Sequence, residues 1–373
     1  MPAPLTPRVL GRLRLAAQGL LGNGLPTVPD AVRWMTAIQA QDLGAALWAV
    51  GQRVPGIAAS DVRAALDAGT VVRSWPMRGT LHLLAPEDLR WILGITSGRL
   101  MNMVAGRHRE LAITPDDIAH CRDIAFTTFE TLKTEGAPGA SREQLFLAFE
   151  EAGQLTKAQR GIHLLGSLCQ RAWLVQGPMG VSNGKVGVQQ LFVPFDEWIH
   201  QSRELDREEG IAELLFRYLR SRGPATIKDF SWWSQIPLKE ARAALDTVRD
   251  GLVELESGGT SYWLSPESAA MLDDGVPGSR SLLALPGFDE YLLGYQDRSL
   301  VLAPEFAELV VPGKNGVFKR IIVSGGEVIG TWARTASGKT IGVEPEPFAG
   351  TLGPAAERSF QAQGRAYLKF MAG

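Results

Sequence analysis

Gln39 and Gln41 flank a single alanine in the stretch Trp34-Met35-Thr36-Ala37-Ile38-Gln39-Ala40-Gln41-Asp42-Leu43. A carboxamide offers one carbonyl acceptor and two N–H donors, enough to hold a water molecule or the edge of a sugar. Whether both can address one target depends on the backbone. On a continuing α-helix, residues two apart point to nearly opposite sides. In an extended or turn segment the side-chain period is two, and both amides face the same way. A helix starting near Pro29-Asp30 carries Val32, Trp34, Met35 and Ile38 at helical spacing and leads into the pair. Capping that helix end, or standing in solvent, are the other uses open to the two amides.

Other chemistries find little support. His82, His108, His120, His163 and His200 are scattered, with no His-Glu-X-X-His or Cys-X-X-Cys pattern, so no metal site is expected. His163 stands among leucines and reads as a packing residue. Neither a phosphate-binding Gly-X-X-X-X-Gly-Lys-Ser/Thr loop nor a Gly-X-Ser-X-Gly elbow occurs, which excludes a P-loop nucleotide enzyme, a kinase and an ordinary serine hydrolase.

The elements that must carry the glutamines repeat along the chain. In the first stretch, helices at Pro7–Leu20, before Gln39 and from Ser60 precede two β-prone runs, Val71–Trp75 and Thr80–Leu84; a further helix opens at Pro86. Residues 116–200 give the same order: helices at Asp116–Lys133, from Ser141 and at Lys157–Trp173, then a hairpin turning at Asn183-Gly184. Residues 206–270 give it again, with helices at Gly210–Arg220, after Thr226 and at Leu238–Asp250, then a hairpin turning at Gly258-Gly259. Three helices and a two-stranded wing make a winged helix, and the order occurs three times. From Leu282 the runs Leu283–Pro286, Lys319–Val323 and Glu327–Trp332 are strand-like, and Ala355–Met371 is a closing amphipathic helix. The expected class is therefore α+β: winged-helix modules at 1–112, 113–204 and 205–279, then a mainly β module at 280–373.

At 373 residues several domains are expected, and 45% hydrophobic with 21% charged residues is ordinary for a globular protein. No apolar run reaches membrane-spanning length, and Arg8, Arg12 and Arg14 interrupt the first twenty residues, so neither a membrane anchor nor a secretory signal is expected. Cys121 and Cys169 are the only cysteines, which fits a reducing cytoplasm. A net charge of −2 does not advertise a nucleic-acid partner. Its distribution is more telling. Arg73, Arg78, Arg90, Arg99, Arg107 and Arg109 cluster in one stretch, and Lys314, Lys319, Arg320, Arg334 and Lys339 in another. Such groups suit phosphate oxygens, or simply a solvated face. On winged helices they favour a duplex backbone, with Arg73 and Arg78 bracketing the first wing.

Several stretches together resemble one family. Val72-Arg73-Ser74-Trp75-Pro76-Met77-Arg78-Gly79-Thr80-Leu81-His82-Leu83 is similar to a signature of the AlkZ-like and YcaQ-like winged-helix DNA glycosylases of bacteria. So are Arg222-Gly223-Pro224-Ala225-Thr226-Ile227-Lys228-Asp229-Phe230-Ser231-Trp232-Trp233 and Gly287-Phe288-Asp289-Glu290-Tyr291-Leu292-Leu293-Gly294-Tyr295-Gln296-Asp297-Arg298-Ser299, as are Asn315–Phe318 and Ile329–Trp332. The resemblance implies tandem winged helices forming a concave surface for duplex DNA. It also implies that Gln39 and Gln41 are catalytic, since Gln39-Ala40-Gln41 is the two-glutamine form of the AlkZ-like branch; the YcaQ-like branch has an aspartate in the second place. The implied activity is removal of N7-alkylated guanines, including interstrand crosslinks made by alkylating natural products, often as self-protection of the producing organism. The implied partner is double-stranded DNA; with no heptad or other dimer seam in the sequence, a monomer acting in the bacterial cytoplasm, at the nucleoid, is expected.

Two uncharged amides suffice for such a substrate. Alkylation at N7 makes the base cationic, and it leaves neutral. What remains is to place a water near C1′ and to turn an amide dipole toward the developing positive charge. No cofactor is needed. No lysine adjoins the glutamines to form a Schiff base, so hydrolysis leaving an abasic site is expected. The alternatives are a noncatalytic winged-helix regulator, or a lesion binder in which both amides only contact the backbone. Asp289 and Arg298 read as a structural ion pair or turn. His82 is open to a role at the site or in packing the wing.

Overall fold

The computed structural model describes residues 5–182, 185–314, 316–337 and 340–373. The turn expected at Asn183-Gly184, Asn315 of the family-like tail and the cation Lys339 lie outside the described residues. The architecture is mixed helix and sheet. The chain divides into two compact units, Met1–Val62 with Ile211–Gly373, and Arg63–Gly210. The first joins an N-terminal and a C-terminal part of the chain and contains the glutamine pair. Among the described residues, no helix is long and apolar enough to cross a membrane.

In the first unit, the N-terminal helix Pro7–Ala17 is capped by Thr6, whose hydroxyl accepts the Val9 N–H. Helix Val28–Met35 is capped in the same way by Thr27. It ends at Met35, earlier than the periodicity through Ile38 predicts, because Thr36 turns to φ +62°. Ile38–Gln39 is a short strand. Asp42 then caps helix Leu43–Gly51 by accepting the Ala45 N–H at 3.1 Å. That helix escapes a periodicity argument because its run Ala46–Val50 is apolar and buried throughout.

Helix Leu43–Gly51 is fixed by the C-terminal part of the chain. Strands Leu282–Leu285, Ile321–Ser324, Glu327–Ser337 and Thr340–Pro347 lie side by side in that order, each antiparallel to its neighbour. Trp48 donates its indole N–H to Ala284 O at 2.9 Å, and its ring meets Tyr367 and Phe370 of the closing helix Pro354–Ala372 at 5.4 and 5.2 Å. Gly51 permits this approach, since a Cβ there would lie 2.5 Å from the Phe370 ring. The residue chain just past Gln41 is thereby clamped by a sheet and a helix more than two hundred positions away. The same unit holds helix Arg207–Arg222 from Ile211 onward, helices Ile227–Ser234 and Leu238–Val248 and the hairpin Val253–Ser257 with Thr260–Leu264.

The second unit contains helices Pro86–Glu110, Pro115–Thr134, Arg142–Glu151 and Arg160–Gln170. Thr114 with Asp117, and Ser141 with Gln144, form reciprocal capping boxes at two of them. Its hairpins, Val72–Met77 with Thr80–Leu84 and Leu174–Ser182 with Lys185–Pro194, join edge to edge where Arg73 pairs with Gln176. Trp75 stacks on Phe192 in a core with Cys121, Phe149, Leu164 and Leu168.

Candidate active site

The geometry around the glutamines begins with strain. Ala37 donates its N–H to Met35 O at 2.6 Å across Thr36, which sits at φ +62°, ψ −50°. This is the rarer, strained hand of the γ-turn. For a β-branched residue such a conformation costs about 1–3 kcal/mol and persists only where the surroundings over-determine it. The Thr36 side chain is buried, and its hydroxyl has no hydrogen-bond partner among the described residues.

What over-determines the turn is Arg222, the last residue of helix Arg207–Arg222. Its guanidinium donates to Met35 O at 2.9 Å and to Ala37 O at 2.7 Å, the two carbonyls on either side of Thr36. It also grips Glu290 Oε2 through Nε (3.1 Å) and Nη2 (2.9 Å). Trp233 adds its indole N–H to that oxygen at 3.0 Å and lies under the guanidinium at 4.5 Å. The other oxygen of Glu290, Oε1, accepts the backbone N–H of Gln39 at 3.2 Å. Both side chains are fully buried. Breaking such a pair by removing one partner costs about 3–5 kcal/mol, because a lone charge is left behind.

Gln39 itself is 5% exposed, whereas Gln41 is at the surface. The side-chain Oε1 of Gln39 accepts the backbone N–H of Gln41 at 3.3 Å. That contact fixes which end of the Gln39 carboxamide is oxygen. Its amide −NH2, without a partner among the described residues, is left as the end available to a ligand.

A second buried pair stands beside the first. Arg53 holds Asp289 through both carboxylate oxygens at 3.0 and 3.1 Å, and also donates to Ala49 O and Gln18 Oε1. Gln18 donates to the Tyr295 hydroxyl, which donates to Arg222 O at 2.6 Å. Burial pushes the Tyr295 phenol up to about 12, so it serves as a neutral donor. Asp289 also caps the short helix Glu290–Leu293. The expected turn is thus present at Asp289, but its ion partner is Arg53 and not Arg298. Arg298 instead donates to Leu292 O and covers the rings of Trp232 and Phe318. Sequence reasoning gave no role to Arg222, Glu290 or Arg53. The available signal was a pair of adjacent acids, Asp289-Glu290, set between Phe288 and Tyr291-Leu292-Leu293.

The expected phosphate contacts fall in different surroundings. Lys319 and Arg334 are exposed, and Arg320 is half-buried over the Trp332 ring at 5.4 Å. Of Lys314, only the backbone is among the described features. In the second unit Arg73 is 7% exposed and donates to Gln176 Oε1 at 3.0 Å. Arg78, half-buried at φ +55°, lies 3.1 Å from Nε2 of His82; His82 is buried, with Nδ1 on Thr80 O at 2.9 Å, which is a packing position within its hairpin. His163 is half-buried and meets His108 edge-on at 5.3 Å.

Comparison with known proteins gives the class. The chain is a DNA glycosylase: a family model described as DNA glycosylase AlkZ-like matches residues 32–370. It belongs to the AlkZ-like family of these enzymes. The interstrand DNA cross-link repair glycosylase of Streptomyces sahachiroi is 25% identical over 331 residues, covering 86% of this chain and 85% of that protein. The solved structure of Streptomyces sahachiroi DNA glycosylase AlkZ shares the fold, with a TM-score of 0.79 at 22% identity over 99% of this chain and 97% of that one.

Proposed function

We propose that this chain hydrolyses the N-glycosidic bond of cationic N7-alkylguanines in duplex DNA, including interstrand crosslinks, with Gln39 and Gln41 as its catalytic residues. The observation that carries the reading is the division of labour between the two amides. Gln39 is buried and braces the backbone of Gln41, which is exposed. Gln41 is assigned to orient the attacking water and to turn its carbonyl dipole toward the oxocarbenium-like sugar. Gln39 keeps Gln41 in place and offers its −NH2 to the sugar–phosphate edge. An amide is a poor general base, so the reaction relies on a leaving group that is already cationic. The name of the Streptomyces sahachiroi relative supports a crosslink as one substrate.

In this reading the three runs of helices and hairpin are winged helices facing duplex DNA, and the protein acts as a monomer. Lys319, Arg320 and Arg334 contact phosphates, and Arg78 serves the same end from its hairpin tip. Arg73, spent on Gln176, is assigned to holding its hairpin. A guanine joined covalently to the opposite strand cannot swing out of the helix without dragging its partner, so the enzyme meets its lesion within the duplex. The test incubates the protein with duplexes bearing N7-methylguanine, a bulky N7 adduct and a crosslink, followed by alkaline scission. Strand breaks at the lesion are expected, with no protein–DNA adduct trapped by borohydride. Intact strands for all three substrates would refute the reading, and a trapped adduct would refute its hydrolytic step.

A further inference from the structure

We propose that Arg222 and Glu290 are positioning residues for base excision: they hold Thr36 in its strained turn and so fix where Gln39 and Gln41 stand. The proposal rests on the assignment of the chemistry to those two glutamines. Three alternate positions of one short segment are anchored to a single ion pair. Met35 O and Ala37 O accept from Arg222, and the Gln39 N–H is accepted by Glu290. The next alternate position, the Gln41 N–H, is held by the side chain of Gln39. The order imposed by the pair is therefore passed along every second residue to the exposed amide.

A purely structural role does not account for this arrangement. A buried ion pair is commonly no better for stability than apolar groups of the same volume, and nothing in core packing requires a guanidinium aimed at both carbonyls of a γ-turn. The neighbouring pair provides the contrast. Arg53 and Asp289 are as deeply buried, yet Arg53 reaches Ala49 O and Gln18 and none of the backbone from Met35 to Gln41. Two ion pairs of like burial thus divide between aiming the motif and bracing the unit.

The experiment measures single-turnover excision of N7-methylguanine with enzyme saturating the lesion duplex, below each variant's melting temperature. Arg222→Lys keeps the charge but loses the fork that reaches two carbonyls. Its rate should fall about 10- to 100-fold, the scale expected for a misplaced catalytic group. Affinity for the duplex should stay within about threefold. The same change made on Gln41→Ala should lower the remaining rate less than it does in the unaltered protein, since groups acting as one unit are not additive. Arg53→Lys should leave the rate of the folded protein within about threefold. A folded Arg222→Lys that excises at the unaltered rate overturns the proposal, as does a loss of equal factor on the Gln41→Ala background. Failure of the underlying assignment looks different, because Gln41→Ala would then excise normally. Should Arg222→Lys not fold, hydrogen exchange on the unaltered protein decides. The Ala37, Gln39 and Gln41 amides should exchange as slowly as core strands, and exchange at the rate of an unstructured peptide overturns the proposal.

Discussion

Gln41 donates its backbone N–H to the side-chain oxygen of Gln39, so the two halves of the motif are bonded to each other. The nearer glutamine is buried and turned back on the chain, and the farther one is exposed. Spacing alone suggests two equivalent amides side by side. The bond makes them unequal.

Neither amide titrates, so excision by the unaltered enzyme should be flat between about pH 6 and 9. Gln41→Asp puts a carboxylate at the position proposed to orient the water, the residue type that the resemblance implies for the YcaQ-like branch. Its rate should rise with pH through the carboxylate range near 4 and level off above it. A pH–rate profile of both proteins checks this. A sloping profile for the unaltered enzyme would mean that some titrating group shares the catalytic step.

Arg53 and Asp289 are both almost fully buried and mutually bonded. Arg53→Met should destabilise the protein by about 3–5 kcal/mol, because Asp289 is left as an uncompensated buried charge. Arg8→Met, which breaks an exposed pair with Glu327, should cost under about 1 kcal/mol. Denaturant midpoints of the two variants give the comparison. Equal losses would show that burial does not set the worth of these pairs.

Much of the frame is legible because local rules and tertiary structure agree. Thr27, Thr114, Ser141 and Thr226 each cap the helix that the residue pattern places after them. The strands flanking the expected turns and the closing helix fall where the β-prone runs and amphipathicity put them. The site is less legible, since its decisive contacts join Met35–Gln39 to residues about two hundred or more positions later. No periodicity reports that Thr36 adopts a positive φ, or that Asp289 pairs with Arg53 and Glu290 with Arg222. The strand Thr340–Pro347 escapes for another reason. Pro345 and Pro347 argue against a strand, but this one lies at the sheet edge, where a missing N–H is tolerated.

Lys319 and Arg334 are exposed cations of the first unit. If they neutralise phosphates, Lys319→Ala and Arg334→Ala should each weaken binding to any duplex. Each should also reduce the slope of log affinity against log salt concentration by about 1. Titrations at several salt concentrations read this directly, and an unchanged slope would place the residue outside the interface.

His108 and His163 are both held below the ordinary histidine pKa of 6.5. For His108 burial is the main cause, followed by the His163 imidazole and the Arg171 guanidinium; for His163 it is burial and then Arg107. The unfolded chain therefore takes up protons near pH 6.5 that the folded chain refuses until lower pH. Their contribution to stability is complete above about pH 6.5 and lost as pH falls through the folded values. Melting temperature should drop from pH 7.5 to 5.5, and His108→Gln with His163→Gln should flatten the drop. A drop unaltered by both changes would assign it elsewhere.

The role of the two glutamines is decided by comparing the unaltered protein with the Gln39→Ala/Gln41→Ala double variant on a duplex containing N7-methylguanine, scoring excision by alkaline scission and affinity by titration. Excision should slow by about 100-fold or more, while affinity for the duplex, short of the one contact from the Gln39 −NH2, stays within about tenfold. Excision at the unaltered rate by the folded double variant would contradict that role.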